Sequence, residues 1–451
     1  MSTAYDAIVI GAGPAGEVCA GELADGGLRV AIVERELVAG ECSYWACIPS
    51  KTLLRPGEAV AGARDAPGAR EALTGPIDVA AALAWRDFMV SDYDDSGQVT
   101  WLDDKGIDLI RGAARITGPG EIAVDGTAYR AEHLVVATGS DPVIPPVPGL
   151  RELQGLWTNR EATGLRELPR RLLVLGGGPV GVELAQAFVR MGAEVALAEG
   201  MDHVLPREPR PLGEALGEAL AADGVELRFG QHASAARFDD GEYVLEFPDG
   251  TALRGDKLLV ATGRTPRTRD LGLERAGVQP DVHGAVPVDA RMNAGDGLWA
   301  IGDAAGIWPL TYVGKYQGRV AAANILGHAR EAHYEAVPRV VFTDPQAAAV
   351  GAADGPLTAT VPMANVAKTA TYTRAYAERP GYLTLVSDGE VLTGAHALGP
   401  EAGEWLQQAT LAIRARVPLA VLRDTIQPFP TFSEVFVEAL AGLEARVPAA
   451  A

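Results

Sequence analysis

The chain has 451 residues, of which 48% are hydrophobic and 22% charged, and its formal net charge is −20. This length exceeds what one hydrophobic core usually organises, so roughly two to four domains are expected, and the composition is that of a soluble globular protein. The acidic charge argues against nucleic acid or an anionic membrane as a partner, because both would be repelled, although solubility alone would also explain it.

Cysteine content and the N-terminal segment bear on the compartment. Three cysteines in 451 residues do not make a disulfide scaffold, which indicates a reducing compartment. The N-terminus lacks the charged and apolar regions of a signal peptide. No run of about 18 apolar residues predicts a membrane-spanning helix. We therefore expect a cytoplasmic protein.

The first strand–turn–helix unit lies at the N-terminus. A buried strand is predicted over residues 6–10, followed by Gly-Ala-Gly-Pro-Ala-Gly at 11–16, a helix, and a second strand that ends at Glu34. In such a unit the glycines allow a tight turn, close approach of backbone to a pyrophosphate, and packing of helix on strand. The helix N-terminus stabilises phosphate charge, and Glu34 is placed to accept a hydrogen bond from a ribose hydroxyl. The pattern predicts a dinucleotide site.

Two cysteines come next, in the stretch Gly-Glu-Cys-Ser-Tyr-Trp-Ala-Cys-Ile-Pro-Ser-Lys at residues 40–51. On an ideal helix, Cys42 and Cys47 would lie about 140° apart around the axis, with Cα atoms about 8–9 Å apart, beyond the ~7 Å limit for a disulfide. A disulfide therefore requires a distorted helix, which would suggest reversible redox chemistry. Two inert buried thiols or half of a zinc site are the alternatives that the spacing leaves open.

Further short strands are predicted over residues 107–110 and 122–126, and a buried strand over 134–140 that contains Ala-Thr-Gly. The proline-rich segment 141–149 is a candidate linker.

The dinucleotide pattern then repeats. A strand at residues 172–175 runs into Gly-Gly-Gly-Pro-Val-Gly at 176–181, a helix, and a strand that ends at Glu199. A second Ala-Thr-Gly strand at 258–264 extends the internal duplication. Two such units predict two bound dinucleotides. Glu199 favours a ribose 2′-hydroxyl and hence NADH, while Arg207 and Arg210 downstream leave NADPH open.

The last part of the chain has a different pattern. A strand over residues 298–303 ends at Asp303, which would accept a hydrogen bond from the sugar-like chain of a cofactor or cap a helix. From about residue 335, alternating strands are predicted at 340–345, 382–386 and 391–396. Helices are predicted at 401–415 and 418–424, and a final helix to about 444. We expect a separate α+β domain here.

These features, in this order, resemble the flavoprotein disulfide reductases, which include dihydrolipoamide dehydrogenase, glutathione reductase and mercuric reductase. The resemblance covers nearly the whole chain. It implies an α/β fold with two Rossmann-like dinucleotide-binding domains and a C-terminal α+β dimerisation domain. The implied FAD-binding domain comprises residues 1–150 and 285–334, the NAD(P)H-binding domain 151–284, and the interface domain 335–451.

The resemblance also implies the site residues. Those expected to bind FAD are Gly11, Gly13, Gly16, Glu34, Lys51, Thr138, Gly139 and Asp303. Those expected to bind the nicotinamide cofactor are Gly176, Gly178, Gly181, Glu199 and Gly263. The expected catalytic residues are Cys42, Cys47, Lys51, Glu183 and Glu434. In this family, the thiol matched by Cys47 lies nearest the flavin, the thiol matched by Cys42 attacks the acceptor, and Lys51 pairs with Glu183 beside the flavin ring.

The implied activity is that of an FAD-dependent pyridine nucleotide-disulfide oxidoreductase. Electrons would pass from NADH, or from NADPH, through FAD to a redox-active Cys42–Cys47 disulfide. They would continue to an unidentified acceptor, which is a small-molecule disulfide, a quinone or another compound. A homodimer without a bound metal is expected.

One segment departs from the family. Members that reduce dithiol or disulfide substrates carry His-Pro-Thr-x-Ser-Glu near the C-terminus, whereas residues 429–434 read Phe-Pro-Thr-Phe-Ser-Glu. Phe429 therefore replaces the histidine that exchanges a proton with the thiols, and Glu434 has lost the base that it orients. Losing a general acid–base costs about 10²–10⁴-fold in the step it serves, so ordinary dithiol turnover is expected to be slow. No cysteine follows Cys47, which argues against mercuric reduction.

Aromatic residues leave two further functions open. Tyr44, Trp45, Phe429 and Phe432 would either line a pocket for a planar acceptor or fill core space. The first alternative is an NAD(P)H:quinone reductase or diaphorase with direct transfer from flavin to acceptor. The second is a catalytically weak flavoprotein that acts as a redox-responsive binding module.

Overall fold

The computed structural model describes residues 3–372 and 381–446. The strands are β1 Thr3–Ile10, β2 Val30–Glu34, β3 Asp108–Arg111, β4 Ala114–Gly118, β5 Glu121–Val124, β6 Thr127–Val136, β7 Ser140–Pro142, β8 Arg171–Leu175, β9 Glu194–Ala198, β10 Glu226–Arg228, β11 Ala235–Asp239, β12 Glu242–Glu246, β13 Ala252–Gly255, β14 Lys257–Val260, β15 Arg264–Pro266, β16 Asn293–Gly295, β17 Leu298–Ala300, β18 Arg339–Val341, β19 Gln346–Gly351, β20 Leu357–Pro362, β21 Tyr382–Ser387 and β22 Leu392–Gly399. The α-helices are α1 Pro14–Asp25, α2 Gly40–Tyr44, α3 Cys47–Asp65, α4 Val79–Met89, α5 Ser96–Asp104, α6 Asn159–Thr163, α7 Pro179–Met191, α8 Arg210–Ala222, α9 Thr311–Ile325, α10 Ala367–Tyr372, α11 Ala402–Trp405, α12 Gln407–Arg414, α13 Leu419–Arg423 and α14 Val435–Glu444.

The chain forms two compact units. The first comprises Met1–Pro49, Arg86–Val143 and Gly263–His333, and the second comprises Ser50–Trp85, Ile144–Thr262 and Tyr334–Ala451.

The first unit is built around an eight-stranded sheet. Its main path runs β16-β17-β6-β1-β2-β3, and β5 pairs with β6 and β4. Strand β1 lies parallel to β2 on one side and to β6 on the other. Ile8 and Ile32 in these central strands are fully buried, as is typical of a parallel sheet covered on both faces. The carboxyl ends of β1, β2, β6 and β17 therefore meet at one edge, where ligands bind in such folds.

The second unit contains the repeat and the C-terminal region. A parallel sheet of order β10-β9-β8-β14 repeats the central plan of the first unit, with α7 connecting β8 to β9. Strands β11, β12 and β13 form a small antiparallel sheet. The C-terminal region contains a five-stranded antiparallel sheet, β18-β19-β22-β21-β20. Its buried side chains, such as Leu383 and Leu385, share a core with Phe436 and Leu440 of α14.

The predicted fold class is confirmed, with two parallel-sheet dinucleotide-type regions and a C-terminal α+β region. The three predicted domain boundaries stay a prediction. One helix prediction is wrong: residues 401–415 form two helices that meet at Leu406, which is the C-cap of α11 and the N-cap of α12. Its ψ of −15° lies well off the usual helical value of about −42°.

Close packing of α1 against α9 gives a first prediction. A Cβ at Gly318 of α9 would lie 2.7 Å from the carbonyl oxygen of Ala15 and 3.3 Å from the backbone nitrogen of Cys19. Gly318→Ala should therefore force the helices apart and lower the free energy of unfolding by about 1–3 kcal/mol, measured by denaturant titration.

Gly62→Ala in α3 is the matched control, because a Cβ there meets nothing within 4 Å. It should leave the free energy of unfolding unchanged or raise it by up to about 1 kcal/mol, since alanine is the better helix former. Equal losses in the two variants would contradict the packing argument.

Candidate active site

The first glycine turn joins β1 to α1. Gly11 has a φ of +109°, and a Cβ there would lie 2.4 Å from the carbonyl oxygen of Ala137. A Cβ at Gly16 would lie 2.0 Å from the carbonyl oxygen of Gly11, whereas a Cβ at Gly13 would meet nothing within 4 Å. Gly13 is the N-cap of α1, whose first N–H groups lack partners inside the helix. The open space beside Gly13 is therefore suited to an anionic group that approaches the backbone.

Glu34 ties the end of β2 to this turn. Its buried carboxylate accepts hydrogen bonds at Oε2 from the backbone nitrogen of Ala12 (2.9 Å) and at Oε1 from that of Glu36 (2.8 Å). Each carboxylate oxygen has a second lone pair, so the same group can also accept from a ribose hydroxyl.

The second glycine turn, between β8 and α7, repeats this geometry. A Cβ at Gly181 would lie 2.0 Å from the carbonyl oxygen of Gly176, and a Cβ at Gly178 would meet nothing within 4 Å. Glu199, just after β9, accepts a hydrogen bond at Oε2 from the backbone nitrogen of Gly177 (2.7 Å). The duplication predicted from the sequence thus extends to the contacts of the terminal carboxylates.

Asp303 comes after β17 at the edge where the first sheet ends. It lies inside the short 3₁₀ turn Gly302–Ala305, whose N-cap is Ile301 without a side-chain cap, so the N-cap alternative for Asp303 is wrong. Its Oδ2 accepts a hydrogen bond from Ser140 Oγ at 2.5 Å. The structure therefore brings Asp303 next to the Ala-Thr-Gly-Ser turn after β6, which contains Thr138 and Gly139.

The sequence analysis missed two arginines at this edge. Arg264 donates to the carbonyl oxygen of Ser140 (2.7 Å) and to Glu41 Oε1 (3.0 Å). Arg267 lies 3.7 Å from Glu41 Oε2, and its carbonyl oxygen accepts from Thr138 Oγ1. Because Glu41 directly precedes the first cysteine of the pair, these arginines anchor the start of the thiol-bearing segment. The only signal in the sequence was the arginine directly after the second Ala-Thr-Gly.

The stretch that carries the two cysteines is not a continuous helix. Cys42 lies in α2 and Cys47 begins α3, while Trp45 between them has φ −134° and ψ 5°. A Cβ at Gly40 would lie 2.7 Å from the Cα of Gly13, so the segment begins directly against the first glycine turn. The break removes the ideal-helix geometry that would keep the two thiols apart.

One hydroxyl contacts both sulfurs. The two cysteines are present as thiols. Thr311 Oγ1 donates to Cys42 Sγ at 3.2 Å and lies 3.4 Å from Cys47 Sγ, where either atom can be the donor. The hydrogen bond to Cys47, followed by burial, raises the pKa of the Cys42 thiol, whereas the hydrogen bond from Thr311 lowers that pKa. Thr311 was not predicted, because it lies 264 positions from Cys47 and no local motif marks it.

The second unit brings Lys51 and Glu183 together. Lys51 Nζ lies 2.6 Å from Glu183 Oε2, and the other oxygen of this buried carboxylate accepts from the backbone nitrogen of Phe342 at 2.9 Å. The ammonium also lies 4.7 Å from the centroid of the Phe342 ring. Removing Lys51 would leave a buried carboxylate without its cation, which is strongly unfavourable.

Other predicted residues have different surroundings. Glu434 forms a capping box with Thr431 at the start of the last helical segment. Phe429 is 75% exposed, whereas Phe432 and Tyr44 are buried in cores, which favours the core-filling interpretation for those two. Gly263 has a φ of +127° and follows β14 in the chain.

Trp45 packs against a tyrosine from the segment after α4. The Trp45 and Tyr93 rings are stacked, with centroids 6.1 Å apart.

Among residues 3–372 and 381–446, no cluster of three or more His, Cys, Asp or Glu side chains could hold a metal ion. In the same ranges, none of the helices has the length and apolar content needed to cross a membrane.

Glu17 is an acidic group in α1 that the motif did not single out. The pKa of its carboxyl is raised to about 7, mainly by burial, while the charge of Lys315 lowers it and the charge of Glu34 raises it. An acid of this kind is partly protonated at neutral pH, and it lies close to the first glycine turn.

Comparison with known proteins identifies the family that these features define. Residues 5–335 match the pyridine nucleotide-disulphide oxidoreductase family, and residues 337–440 match the dimerisation domain of that family. The chain belongs to the pyridine nucleotide-disulphide oxidoreductases, whose members are flavoprotein disulfide reductases.

Individual relatives match over nearly the full length of the chain. It is 38% identical to the dihydrolipoyl dehydrogenase of Thermus scotoductus, over 97% of each chain. It is 36% identical to the mercuric reductase of Acidithiobacillus ferrooxidans, over 94% of this chain and 80% of that protein. The Cu(II) complex of the HOCl-induced flavoprotein disulfide reductase RclA from Escherichia coli is similar in structure, with a TM-score of 0.86 and 27% identity over 98% of this chain and 99% of that one.

The pKa of Glu17 predicts a pH-dependent stability. Because its folded-state pKa is raised from 4.5 to about 7, the stability linked to its protonation is full below the unfolded pKa and is lost as the pH rises through about 7. Glu17→Gln should match the wild type at about pH 4 and exceed its free energy of unfolding by on the order of 1–2 kcal/mol at about pH 8.

Denaturant titrations at several pH values would measure this difference. Glu22→Gln is the control, because Glu22 is an exposed acid on the same helix. A difference between wild type and Glu17→Gln that is the same at both pH values would show that Glu17 does not titrate in this range.

Proposed function

We propose that the chain is an FAD-dependent oxidoreductase that takes electrons from NADH and passes them through FAD to a Cys42–Cys47 disulfide and then to an external acceptor. The observation that carries this proposal is the position of the two thiols. They lie on a broken helical segment that begins against the first glycine turn, where the backbone is open to a dinucleotide. When bound, FAD supplies the two-electron chemistry between nicotinamide and disulfide.

The residues at the first sheet edge fit FAD. Open space beside Gly13, the unpartnered N–H groups at the start of α1, and the Glu34 carboxylate suit a pyrophosphate and a ribose. Asp303 is held by Ser140 and retains lone pairs for a hydroxyl of the cofactor chain. The full proposed set is Gly11, Gly13, Gly16, Glu34, Thr138, Gly139 and Asp303, with Lys51 added from the family resemblance.

The second glycine turn would bind the nicotinamide cofactor through Gly176, Gly178, Gly181, Glu199 and Gly263. The Glu199 carboxylate would repel a 2′-phosphate, which favours NADH. Arg210, which the sequence left as a possible partner for that phosphate, already pairs with Asp202 and Glu214. These contacts support NADH as the preferred donor.

The thiols have distinct proposed roles. Two electrons and two protons convert the disulfide into the dithiol. Cys42 would then attack a disulfide acceptor, forming a mixed disulfide and releasing one thiolate. Cys47 would attack Cys42 Sγ, which re-forms the Cys42–Cys47 disulfide and releases the second thiolate. Lys51 would present its positive charge to the cofactor, held in place by Glu183.

The acceptor is proposed to differ from an ordinary dithiol substrate. Phe429 occupies the position of the family histidine and cannot exchange a proton, so turnover with dihydrolipoamide or glutathione-type substrates should be slow. Small-molecule disulfides with good leaving groups, quinones or other oxidants are the remaining classes. The match to the family dimerisation domain supports a homodimer.

Two matched glycine variants test the cofactor assignment. A Cβ at Gly13 or at Gly178 meets no protein atom within 4 Å, so Gly13→Ala and Gly178→Ala should both fold normally. A methyl group at Gly13 would occupy the space proposed for the FAD pyrophosphate, and Gly13→Ala should reduce the FAD content of the purified protein severalfold. Gly178→Ala should retain FAD and raise KM for NADH about tenfold or more.

Absorbance of the bound flavin and steady-state kinetics would measure these effects. Loss of FAD from Gly178→Ala with retention in Gly13→Ala would reverse the assignment of the two sites.

Anaerobic titration with NADH tests the redox role of the thiols. The wild type should take up four electrons per FAD and gain two thiols that react with a thiol reagent, because both flavin and disulfide are reduced. Cys42→Ser and Cys47→Ser should each stop at two electrons. A wild-type protein that stops at two electrons and gains no thiol would refute the disulfide step.

Cys19→Ser is the matched control, since Cys19 is buried and lies outside the proposed pair, and it should behave as the wild type. Quinone turnover that survives both active-thiol substitutions would support direct transfer from the flavin instead.

A further inference from the structure

We propose that Thr311 shares a proton between Cys42 and Cys47 and so produces the Cys42 thiolate. Relatives with a C-terminal histidine have a base for this step, whereas this chain has Phe429 at that position. This inference rests on the proposed function, because it concerns the reduced form of the same cysteine pair. Thr311 contacts both reacting sulfurs, and the role therefore belongs to the catalytic machinery itself.

The position of the hydroxyl carries the inference. Thr311 Oγ1 is 3.2 Å from Cys42 Sγ and 3.4 Å from Cys47 Sγ, which are hydrogen-bonding distances for sulfur. A hydroxyl can donate one hydrogen bond and accept another at the same time. It can therefore connect one thiol that donates to it with one sulfur that accepts from it.

The proton transfer balances without an external group. When Thr311 donates to a Cys42 thiolate and Cys47 is protonated, the Cys47 proton passes to Thr311 Oγ1 as the Thr311 proton passes to Cys42 Sγ. The products are a Cys47 thiolate and a Cys42 thiol, and no electron moves. The new O–H then points at Cys47, so the hydroxyl is already oriented for the reverse transfer. That reverse transfer yields the Cys42 thiolate that attacks an acceptor.

Two features at Thr311 lower the cost of a thiolate in this pair, which burial otherwise raises. Thr311 is the first residue of the 15-residue helix α9, and its N-cap Leu310 provides no side-chain hydrogen bond. The positive end of the helix therefore lies at the residue that contacts both sulfurs, and such an environment stabilises a thiolate. The hydrogen bond from Thr311 acts in the same direction on Cys42.

Two charged side chains on the neighbouring elements interact with other groups. Glu41 of α2 pairs with Arg264 and Arg267. Lys315, one turn along α9, acts on Glu17 of α1. The interactions that govern the Cys42 thiol are those with Cys47, with Thr311 and with its buried surroundings.

Thr311→Val removes the hydroxyl at nearly constant volume, and Thr311→Ser keeps it. Each holoenzyme would be reduced with dithiothreitol, freed of reductant, and alkylated with iodoacetamide between about pH 6 and pH 10, with Cys42 and Cys47 quantified separately by mass spectrometry. The wild type and Thr311→Ser should share one profile. Thr311→Val should shift the Cys42 profile upward by about one pH unit and slow Cys42 alkylation at neutral pH about tenfold.

Two results would overturn the proposal. One is a Thr311→Val profile that coincides with the wild type, and the other is a Thr311→Ser profile that is shifted as far as that of Thr311→Val. Thr311→Ala provides the same comparison if valine disturbs the packing, with flavin content as the check on folding. Dithiothreitol forms the dithiol without NADH, so this test can fail while the NADH titration succeeds, and the reverse also holds.

Discussion

Direct contact between the first glycine turn and the thiol-bearing segment is the constraint on which the rest of the site depends. A side chain at Gly40 would collide with the backbone at Gly13, and a side chain at Gly16 would collide with that at Gly11. Three stretches of backbone can meet here only because these positions lack a Cβ. The thiol-bearing segment therefore begins directly against the glycine turn at the carboxyl edge of the first sheet.

The internal duplication accounts for the common plan of the two glycine turns, and the two copies also differ. In both halves a carboxylate at the end of the second strand accepts from the backbone of its own glycine turn, through Glu34 in one and Glu199 in the other. The two copies of the strand–turn–helix pattern differ in the functional side chains that they carry. The first leads into the cysteine pair, whereas the helix after the second turn contains Glu183, which binds Lys51. The same turn geometry thus leads into two different sets of side chains.

Local patterns predicted the parts of the site that are local in sequence. Both glycine turns, Glu34 and Glu199 could be predicted from spacing alone, because a tight turn and close backbone approach restrict the allowed residues. Thr311, Arg264 and Arg267 were missed because their contacts with the cysteine-bearing segment join positions more than 200 residues apart, as in the pair formed by Arg264 and Glu41. A hydroxyl or a guanidinium is common in any sequence, and only the folded chain shows which ones meet the cysteines.

The proposed mechanism needs protons at two places, the cysteine pair and the acceptor. Thr311 can move a proton between the two sulfurs, but a hydroxyl held between them cannot deliver one to a departing substrate. Phe429 has no proton to exchange at the position where the family resemblance predicts a histidine. The proposed acceptor is therefore one whose reduced atoms take protons directly from water, or whose leaving thiolate is stable without one. Within the proposed mechanism, the identity of the side chain at position 429 therefore restricts the acceptor more than the fold does.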